Sequence, residues 1–417
     1  MDEPELGFKE VRTADRVKEV FADLQLEYQE GLALTGVKAV LRGGQSGPRL
    51  ALMGELDALL VPDHPRADPS TGAAHACGHN AQIAGLMGAT MGLVDAGVLP
   101  HLSGSVALFA VPAEEYVEID YRMGLVRQGQ TTFLAGKPEL LQQGFFDDID
   151  MAVMIHTSSR EGQEGAFGVG ASCNGFIAKN IRFIGRAAHA GGTPHRGVNA
   201  LNAAQLALSA INAQRETFRD EDCVRVHPII TKGGDLVNIV PAEVRLETYV
   251  RGKSEEAILD AAAKVDRALK GAAMAMGAQV EIETVPGFMP LRNDPGLCQL
   301  FRANGEQLFG AGSYCDFPHS GGSTDAGDLS QVMPVLHPQM SGAAGAVHEP
   351  NWYIADPDSG YLAPAKALAM MAVDLLADGA REGTKILQES VPALSRQAYL
   401  KRQKSLFRTE LFSGSED

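Results

Sequence analysis

The middle of the chain carries the feature that most restricts its fold, a regular order of strand-like and helix-like segments. Strand-like residues occupy 177–184, 224–231, 244–250 and 280–285, and helical apolar spacing occupies 198–218 and 255–276. The resulting order is β-α-β-β-α-β, which is typical of a ferredoxin-like domain. We therefore predict a small α+β domain over residues 176–286.

The segments on either side of this insert follow a different pattern. Short strand-like runs at 37–41, 50–53, 106–111 and 152–156 accompany helical stretches near 82–96 and 364–378. Strands that alternate with helices favour an α/β layered domain with a largely parallel sheet. We expect one discontinuous α/β domain from residues 1–175 and 287–417, in a chain of 417 residues that is long enough for both domains. The basic run at 396–408 is interpreted as a solvated helix face.

Charge and cysteine content restrict the partners and the compartment. The formal net charge of −16 argues against a nucleic-acid or anionic-membrane partner, because phosphate contacts need clustered Lys and Arg. No window approaches the roughly 18 continuous apolar residues of a membrane helix, and the acidic N-terminus lacks the apolar run of a signal peptide. Cysteines at 77, 173, 223, 298 and 315 fit a reducing compartment better than a disulfide framework. We therefore predict a cytoplasmic location.

The stretch His75-Ala76-Cys77-Gly78-His79-Asn80 precedes the first predicted helix after the strand at 50–53. A thiolate and an imidazole two residues apart are good ligands for zinc or a similar divalent ion. The triplet alone is equally compatible with a small-residue turn that exposes a histidine. Loops at strand ends are nevertheless where α/β folds usually place their chemistry.

Further donors occur at the ends of other predicted elements. Glu114 and Glu115 follow the strand at 106–111, His156 ends the strand at 152–156, and His348 follows a Gly/Ala loop. A glutamate pair is often a solvated helix start, and a lone histidine is more often structural. Together with the thiol and imidazole at 77 and 79, however, these donors exceed four ligands. This number favours two bridged ions that hold a water, with the spare glutamate as general base.

Six motifs give the chain a resemblance to a known family. They are Glu55-Leu56-Asp57-Ala58-Leu59 and the residues at 75–80, 111–115, 185–190, 233–241 and 322–325. In this order they resemble the M20 metallopeptidases of the amidohydrolase branch. The CGHN and GSTD variants are similar to the aminobenzoyl-glutamate hydrolase and M20 domain-containing dipeptidase sub-branch. The resemblance implies a zinc-peptidase-like three-layer α/β catalytic domain with a ferredoxin-like dimerisation or lid domain.

The resemblance also implies a role for each matching residue of the metal centre. Cys77 takes the position of the bridging ligand, and the remaining ligands are His79, Glu115, His156 and His348. Glu114 takes the position of the general base, and Asp57 that of an acid that orients a ligand histidine. An ordinary strand-end Asp57 is the alternative. His337, in a His-Pro pair, is interpreted as a supporting or substrate-contacting residue.

Other residues match family positions in the small domain and in a late loop. His189 takes the position of a histidine that reaches the partner subunit's site and stabilises an oxyanion, which implies a homodimer. Asn238 and Arg251 match positions that hold a substrate carboxylate, although Arg251 is equally compatible with a surface residue. Gly322 and Ser323 belong to a loop expected to offer backbone N–H groups to the substrate, or to a plain turn.

The function expected from these features is hydrolysis of an amide bond in a small molecule. N-acyl amino acids, aminobenzoyl-glutamate and dipeptide-like compounds are the candidate substrates. Two divalent ions, Zn²⁺ or Mn²⁺ with Co²⁺ also compatible, are the expected cofactors. One alternative is a cysteine-nucleophile amidase that uses Cys77 with His79 or His75. Another is a non-catalytic metal- or ligand-binding protein on the same scaffold.

Overall fold

The computed structural model describes residues 2–159, 166–170 and 172–414. They form two compact units. Unit 1 comprises the described residues of Met1–Ser172, Leu291–His319 and Thr324–Arg396. Unit 2 comprises those of Cys173–Pro290, Ser320–Ser323 and Gln397–Asp417.

The strands and helices alternate along much of the chain. The strands are β1 (Tyr28–Leu32), β2 (Gly36–Arg42), β3 (Gln45–Glu55), β4 (Leu59–Leu60), β5 (Ala73–Ala74), β6 (Ser103–Val111), β7 (Met151–Val153), β8 (His156–Ser159), β9 (Phe167–Gly170), β10 (Gly175–Ile184), β11 (Arg225–Val226), β12 (Ile229–Lys232), β13 (Glu243–Gly252), β14 (Gln279–Pro286), β15 (Tyr314–Phe317), β16 (Val335–Leu336), β17 (Gln339–Ala344), β18 (Tyr353–Ile354) and β19 (Arg408–Ser413). The α-helices are α1 (Val11–Asp23), α2 (His79–Asp95), α3 (Ile119–Arg127), α4 (Gly136–Gln143), α5 (Ala200–Ala213), α6 (Glu255–Met276), α7 (Pro295–Phe309), α8 (Ala326–Leu329), α9 (Ala363–Leu376), α10 (Arg381–Glu389) and α11 (Arg396–Leu406).

Unit 1 is built around a mixed sheet in the order β1-β2-β6-β3-β7-β16. Its β6, β3, β7 and β16 strands run parallel, and β1 and β2 form an antiparallel edge. Leu50 and Leu52 of β3 are fully buried, and helices α2 and α9 pack against this strand. This burial explains why β3 is a continuous apolar run rather than an alternating one. The largely parallel α/β sheet predicted from the sequence is therefore confirmed.

Helix α2 begins earlier than the periodicity predicted, at His79 rather than near residue 82. Gly78 is the N-cap residue with φ of +118°, and a Cβ there would lie 2.9 Å from the Thr157 carbonyl oxygen. Only glycine adopts this conformation in such a confined place. The helix start consequently brings Cys77 and His79 close to the segment that contains Thr157.

Unit 2 has the predicted ferredoxin-like order of elements. Its sheet follows β11-β13-β10-β14-β19, and β12 also pairs with β13. The central pair β10–β13 keeps an unbroken antiparallel register from Gly175↔Gly252 to Ile184↔Glu243. Helices α5 and α6 contact each other and the sheet through buried alanines, whose small side chains permit close approach. The strand predicted at 224–231 is divided into β11 and β12.

The end of the chain differs from the predicted boundary, which assigned all of 287–417 to the α/β domain. The described residues of Gln397–Asp417 belong to unit 2, where β19 pairs antiparallel with β14 from Thr284↔Arg408 to Gln279↔Ser413. The pairing satisfies backbone N–H and C=O groups of β14 that would otherwise hydrogen-bond to water at the sheet edge. Within the basic run, Tyr399 is fully buried, so α11 is not a wholly solvated helix.

The described part of the chain contains no single helix long and apolar enough to cross a membrane. One bent pair, Asp358–Leu376 with Asp378–Glu389, meets the length and composition criteria only when both helices are taken together.

Candidate metal centre

The sheet of unit 1 places several chemical groups at one edge. β3 ends at Glu55 and β6 at Val111, which are paired in register, and β7 ends nearby at Val153. Because these strands are parallel, the segments that follow them start from the same edge. Asp57 follows β3, the Glu114–Glu115 pair follows β6, and His156 follows β7.

Two possible ligand sets share one thiol. The ligand atoms of Cys77, His79 and His156 lie within 4.8 Å of one another, and so do those of Cys77, Glu115 and His348. The Cys77 Sγ is 3.4 Å from the His156 Nε2, and the His348 Nε2 is 3.2 Å from the Glu115 Oε1. All are buried or partly buried except His348, whose side chain is 51% exposed. A thiolate common to both sets is the arrangement that a bridging ligand needs.

Hydrogen bonds fix which ring nitrogens of the histidines face the centre. The His79 Nδ1 lies 2.9 Å from the Asp57 carbonyl oxygen and 3.2 Å from its Oδ1. The His156 Nδ1 lies 2.9 Å from the Thr157 carbonyl oxygen. A carbonyl oxygen only accepts, so both Nδ1 atoms carry a proton, and in the neutral form of each ring the Nε2 atom keeps a lone pair for an ion.

Asp57 is fully buried and contacts two of the candidate ligands. Beside its contact with His79, its Oδ2 accepts the Glu115 backbone N–H at 2.8 Å. Such a contact holds both the ring orientation and the start of the glutamate pair. This geometry agrees with the orienting role that the sequence resemblance implies for Asp57.

The ionisation of the centre reflects crowding of acidic groups away from water. Burial raises the pKa of Glu114 well above its ordinary value, and the charges of Glu55 and Glu115 raise it further. Burial also raises the pKa of the Cys77 thiol, with Glu115 adding to the shift. Burial alone lowers the pKa of His79, but Glu55 and Cys77 outweigh it and raise that pKa. Bound cations would relieve this crowding and favour the thiolate.

A second, charge-paired cluster borders these donors. The Lys137 ammonium is fully buried and contacts Glu55 Oε1 at 2.5 Å and the Asp325 Oδ1. The other Glu55 oxygen lies 3.1 Å from the His79 Nε2 and accepts from the Gln82 amide at 2.6 Å. No role was predicted from the sequence for Glu55 or Lys137. Glu55 is the first residue of one of the motifs that carry the family resemblance, and Lys137 stands in partly apolar surroundings, but neither signal identifies the partner.

His337 also lies at this centre. Its ring centroid is 5.8 Å from that of His156, and its backbone N–H donates to the Asn293 Oδ1 at 2.8 Å. Its buried Nδ1 has no hydrogen-bond partner among the residues that the structure describes. The position is compatible with the supporting or substrate-contacting role expected from the His-Pro pair.

The remaining candidate residues belong to unit 2. His189 is exposed, and its Nδ1 accepts from the backbone N–H groups of Gly191 and Gly192 at 3.2 and 2.9 Å. Arg251 donates to the Ser323 Oγ at 2.7 Å. Asn238 and Gly322 are exposed. Unit 2 thus brings Arg251 and Ser323 together.

The comparison with known proteins identifies the class. A family model described as Peptidase family M20/M25/M40 matches residues 51–373. The chain is 30% identical over 342 residues to the Xaa-Arg dipeptidase of Mus musculus, a match that covers 79% of this chain and 72% of the relative. It is 28% identical to a Haemophilus influenzae homolog of p-aminobenzoyl-glutamate hydrolase, over 66% of this chain and 62% of the relative.

A solved structure supports the fold independently. The dinuclear metal-binding M20 peptidase of Bacillus subtilis superposes with a TM-score of 0.65 at 22% identity, covering 90% of this chain and 95% of that one. The chain therefore belongs to the M20/M25/M40 peptidase family. It is an enzyme of the hydrolase class, and the predicted family and fold class are confirmed.

Proposed function

We propose that this enzyme hydrolyses a linear amide bond in an N-acyl amino acid, aminobenzoyl-glutamate or a dipeptide-like compound, in a reaction that depends on two divalent ions. The observation that carries this proposal is the pair of ligand sets sharing Cys77, with the buried Glu114 beside them. Unit 1 is then the catalytic domain, and unit 2 the dimerisation or lid domain.

The donor set fits two divalent ions. One set offers the Cys77 thiolate with His79 and His156, and the other offers the same thiolate with Glu115 and His348. Mixed S, N and O donors suit Zn²⁺, and Mn²⁺ and Co²⁺ remain compatible. When bound, such ions polarise an amide carbonyl and make a water between them more acidic.

Glu114 is the proposed general base. Its Oε2 lies 3.9 Å from the His79 Nε2, and the carboxyl also belongs to a third group of possible ligands, Glu55, His79 and Glu114. We assign the ligand role to Glu115, which shares a set with Cys77, and the role of base to Glu114. Burial and neighbouring acids raise its pKa, which suits a group that both accepts and returns a proton. Glu114 would take the proton from the attacking water and deliver it to the leaving amine nitrogen.

His189 is proposed to stabilise the oxyanion of the partner subunit's reaction. Because backbone amides of Gly191 and Gly192 donate to its Nδ1, the proton of the neutral ring sits on Nε2. An outward Nε2–H is the donor that a developing oxyanion requires. The role therefore depends on a homodimer.

An exposed apolar surface on unit 2 supports this dimer. It consists of side chains 40% or more exposed, named here the β12 patch: Ile229, Ile230, Leu236, Val237 and Ile239. These side chains lie within eleven positions of one another in the chain, and exposed apolar side chains that cluster commonly mark a protein interface. The single substitution Val237→Asp should shift the sedimentation coefficient toward that of a monomer. An unchanged dimer would remove the patch from the interface.

Complementation tests whether His189 acts across the dimer. Glu114→Gln and His189→Ala chains would be co-expressed with different affinity tags, and the mixed dimer purified. If His189 acts on the partner, one site in the mixed dimer is intact, so about half of the normal activity returns. A mixed dimer as inactive as either parent would contradict action in trans.

Residues of unit 2 are proposed to recognise the substrate carboxylate. A guanidinium binds a carboxylate through two parallel hydrogen bonds, and the Arg251 side chain is oriented by its hydrogen bond to the Ser323 Oγ. Asn238 and the Gly322 backbone N–H are proposed as further donors. The Mus musculus relative is an Xaa-Arg dipeptidase and the Haemophilus influenzae relative a p-aminobenzoyl-glutamate hydrolase homolog. The substrate in each of these enzyme names is an amide that ends in an amino-acid carboxylate. The reduced cysteines support a cytoplasmic setting for such small substrates.

Amine release from a panel of N-acyl amino acids, dipeptides and aminobenzoyl-glutamate tests the proposal. The assay would be run with chelator and again after Zn²⁺, Mn²⁺ or Co²⁺ is restored. Activity lost with chelator and regained with one metal supports the proposal and names the substrate class. A metal-loaded enzyme inert on every amide would contradict it.

The close approach of Cys77 to His156, 3.4 Å, favours a second candidate, an amidase with Cys77 as nucleophile. Such pairs work when the thiol is deprotonated, but burial raises the thiol pKa and lowers that of His156 to about 4. Without a cation the pair stays neutral. Activity that survives chelation and disappears with a thiol reagent would favour this candidate.

A further inference from the structure

The two glutamates of the candidate centre are presented by a strained turn. Ala113, which directly precedes them, has φ of +54° and is fully buried. A non-glycine residue adopts this left-handed conformation at a cost, so the surrounding structure must hold it. Whatever holds Ala113 therefore controls where Glu114 and Glu115 point.

Both polar groups of Ala113 are held by distant parts of the chain. Its N–H donates to the Glu10 Oε1 at 2.8 Å, and its carbonyl accepts the Gly136 N–H at 3.2 Å. Glu10 is fully buried, and its Oε2 accepts the Thr35 hydroxyl at 2.6 Å. Each Glu10 oxygen thus has one defined donor.

The segment of residues 5–10, called here the N-terminal strap, also contacts the other loop of the centre. The Ala58 N–H, next to Asp57, donates to the Glu5 carbonyl at 2.7 Å, and Leu6 forms a parallel bridge with Ala58. A Cβ at Gly7 would lie 2.9 Å from the Ala113 Cα. The strap therefore joins the loop after β3 to the turn after β6.

We propose that Glu10 is a positioning residue, which holds the Ala113 turn so that Glu114 faces the substrate while Glu115 faces the ions. The proposal deepens the proposed function and rests on it for the role of Glu114. The two Glu10 oxygens accept from the Ala113 N–H and the Thr35 hydroxyl, and Glu10 belongs to none of the possible ligand sets. It acts through one hydrogen bond to a strained backbone, and misplacement of a reacting group by about 1 Å costs roughly 100-fold in rate.

The test compares Glu10→Leu, which removes both acceptors, with Glu10→Gln, which retains an acceptor for the Ala113 N–H. Glu10→Leu should lower kcat roughly 10- to 100-fold with a small change in KM, and Glu10→Gln should restore kcat to within about threefold. The Co²⁺-loaded protein supplies a second readout, because its thiolate and d–d absorption bands report the ligand geometry around Cys77 and Glu115. These bands should shift in Glu10→Leu and not in Glu10→Gln.

A second variant covers the case in which Glu10→Leu does not fold. Gly7→Ala keeps Glu10 but presses a methyl group on the Ala113 Cα and on the Arg122 guanidinium. It should also lower kcat and shift the cobalt bands. Gly124→Ala is its control, since among the described residues the nearest atom that a Cβ there would meet, outside the backbone of its own helix, is the Gln128 Nε2 at 4.0 Å.

Normal kcat and unshifted cobalt bands in folded Glu10→Leu or Gly7→Ala would overturn the positioning role. If the unmodified enzyme hydrolyses no amide, the proposed function fails. The cobalt bands still test whether Glu10 positions the Ala113 turn. Shifted bands in Glu10→Leu, restored in Glu10→Gln, would support it, and unshifted bands would overturn it.

Discussion

Each unit buries a cluster of ionisable groups, and the two clusters balance their charge differently. In unit 2 the fully buried Lys179 ammonium contacts the Asp266 Oδ1 at 2.7 Å and the Thr284 hydroxyl at 3.0 Å. The other Asp266 oxygen contacts Arg408 at 2.5 Å. Each charged group there has a partner of opposite charge within the chain, as a structural cluster requires.

In unit 1 the acidic groups outnumber the cations. Lys137 is shared by Glu55 and Asp325, and among the described residues the basic groups in the ligand sets of the glutamate pair and the thiol are histidines. Burial, and after it the neighbouring acidic groups, raise the pKa values of Glu114 and Cys77. A cluster that is complete within the chain stabilises a fold, whereas a cluster that lacks positive charge is suited to bind it from outside.

The largest expected effect concerns the unit 1 cluster. Glu114→Gln should lower kcat by about 10²- to 10⁴-fold, because the general base is lost, while the metal content stays unchanged. Steady-state amide hydrolysis and elemental analysis measure the two quantities. Glu139→Gln is a matched buried control, since Glu139 accepts the Thr132 and Phe133 N–H groups outside the cluster. A Glu114→Gln enzyme with near-normal turnover would remove the assigned role.

The matching change in unit 2 should affect stability alone. Lys179→Met leaves Asp266 with Arg408 only, so the free energy of unfolding should fall by about 3 kcal/mol, the low end for a broken buried pair. Denaturant titration measures it, and metal content should not change. Lys264→Met, which loses an i,i+4 pair with Asp260, should cost under about 1 kcal/mol. Metal loss in Lys179→Met would contradict the distinction between the clusters.

Metal binding should stabilise the protein. At a free metal concentration about 100 times Kd, the free energy of unfolding should rise by about 2.7 kcal/mol for one site. Unit 2 contributes no ligand to either set, so the gain should be equal in the unmodified enzyme and in Lys179→Met. Thermal unfolding with and without chelator checks this. A melting temperature indifferent to every divalent ion would contradict a metal centre in unit 1.

A smaller effect is expected for Asp57→Asn. The asparagine amide keeps one acceptor oxygen, so one of the two contacts, to His79 or to the Glu115 N–H, is lost, and metal binding should weaken by about 10- to 100-fold. Competition with a chromophoric chelator gives the affinity directly. An unchanged affinity would mean that the Asp57 carbonyl alone orients the His79 ring.

The sequence predicted those features of the two units that depend on the local pattern of residues. Apolar parallel strands end at one sheet edge, so the donors that follow them were expected to meet, and Cys77, His79, Glu115, His156 and His348 do meet. Their roles as ligands stay predictions. The β-α-β-β-α-β order of unit 2 was equally readable from strand and helix periods.

Partners that are distant in sequence could not be predicted. Lys137 and Glu55 are 82 residues apart, and neither position shows a pattern that names the other. The same holds for β19, whose pairing with β14 depends on an open sheet edge that appears only in the folded unit. Both the Lys137–Glu55 contact and the β14–β19 pairing depend on tertiary structure, because each buried charge or backbone group needs a partner that the local sequence does not specify.

Metal stoichiometry of the unmodified enzyme and of Cys77→Ala tests the central claim most directly. Metal-depleted protein would be titrated with Co²⁺ and followed by calorimetry and by the thiolate-to-cobalt absorption band. We expect two ions per chain with a thiolate band, and loss of the band with weakened binding at both sites in Cys77→Ala. Binding in Cys77→Ala equal to that of the unmodified enzyme, or no binding in either, would contradict a thiol shared by two ions.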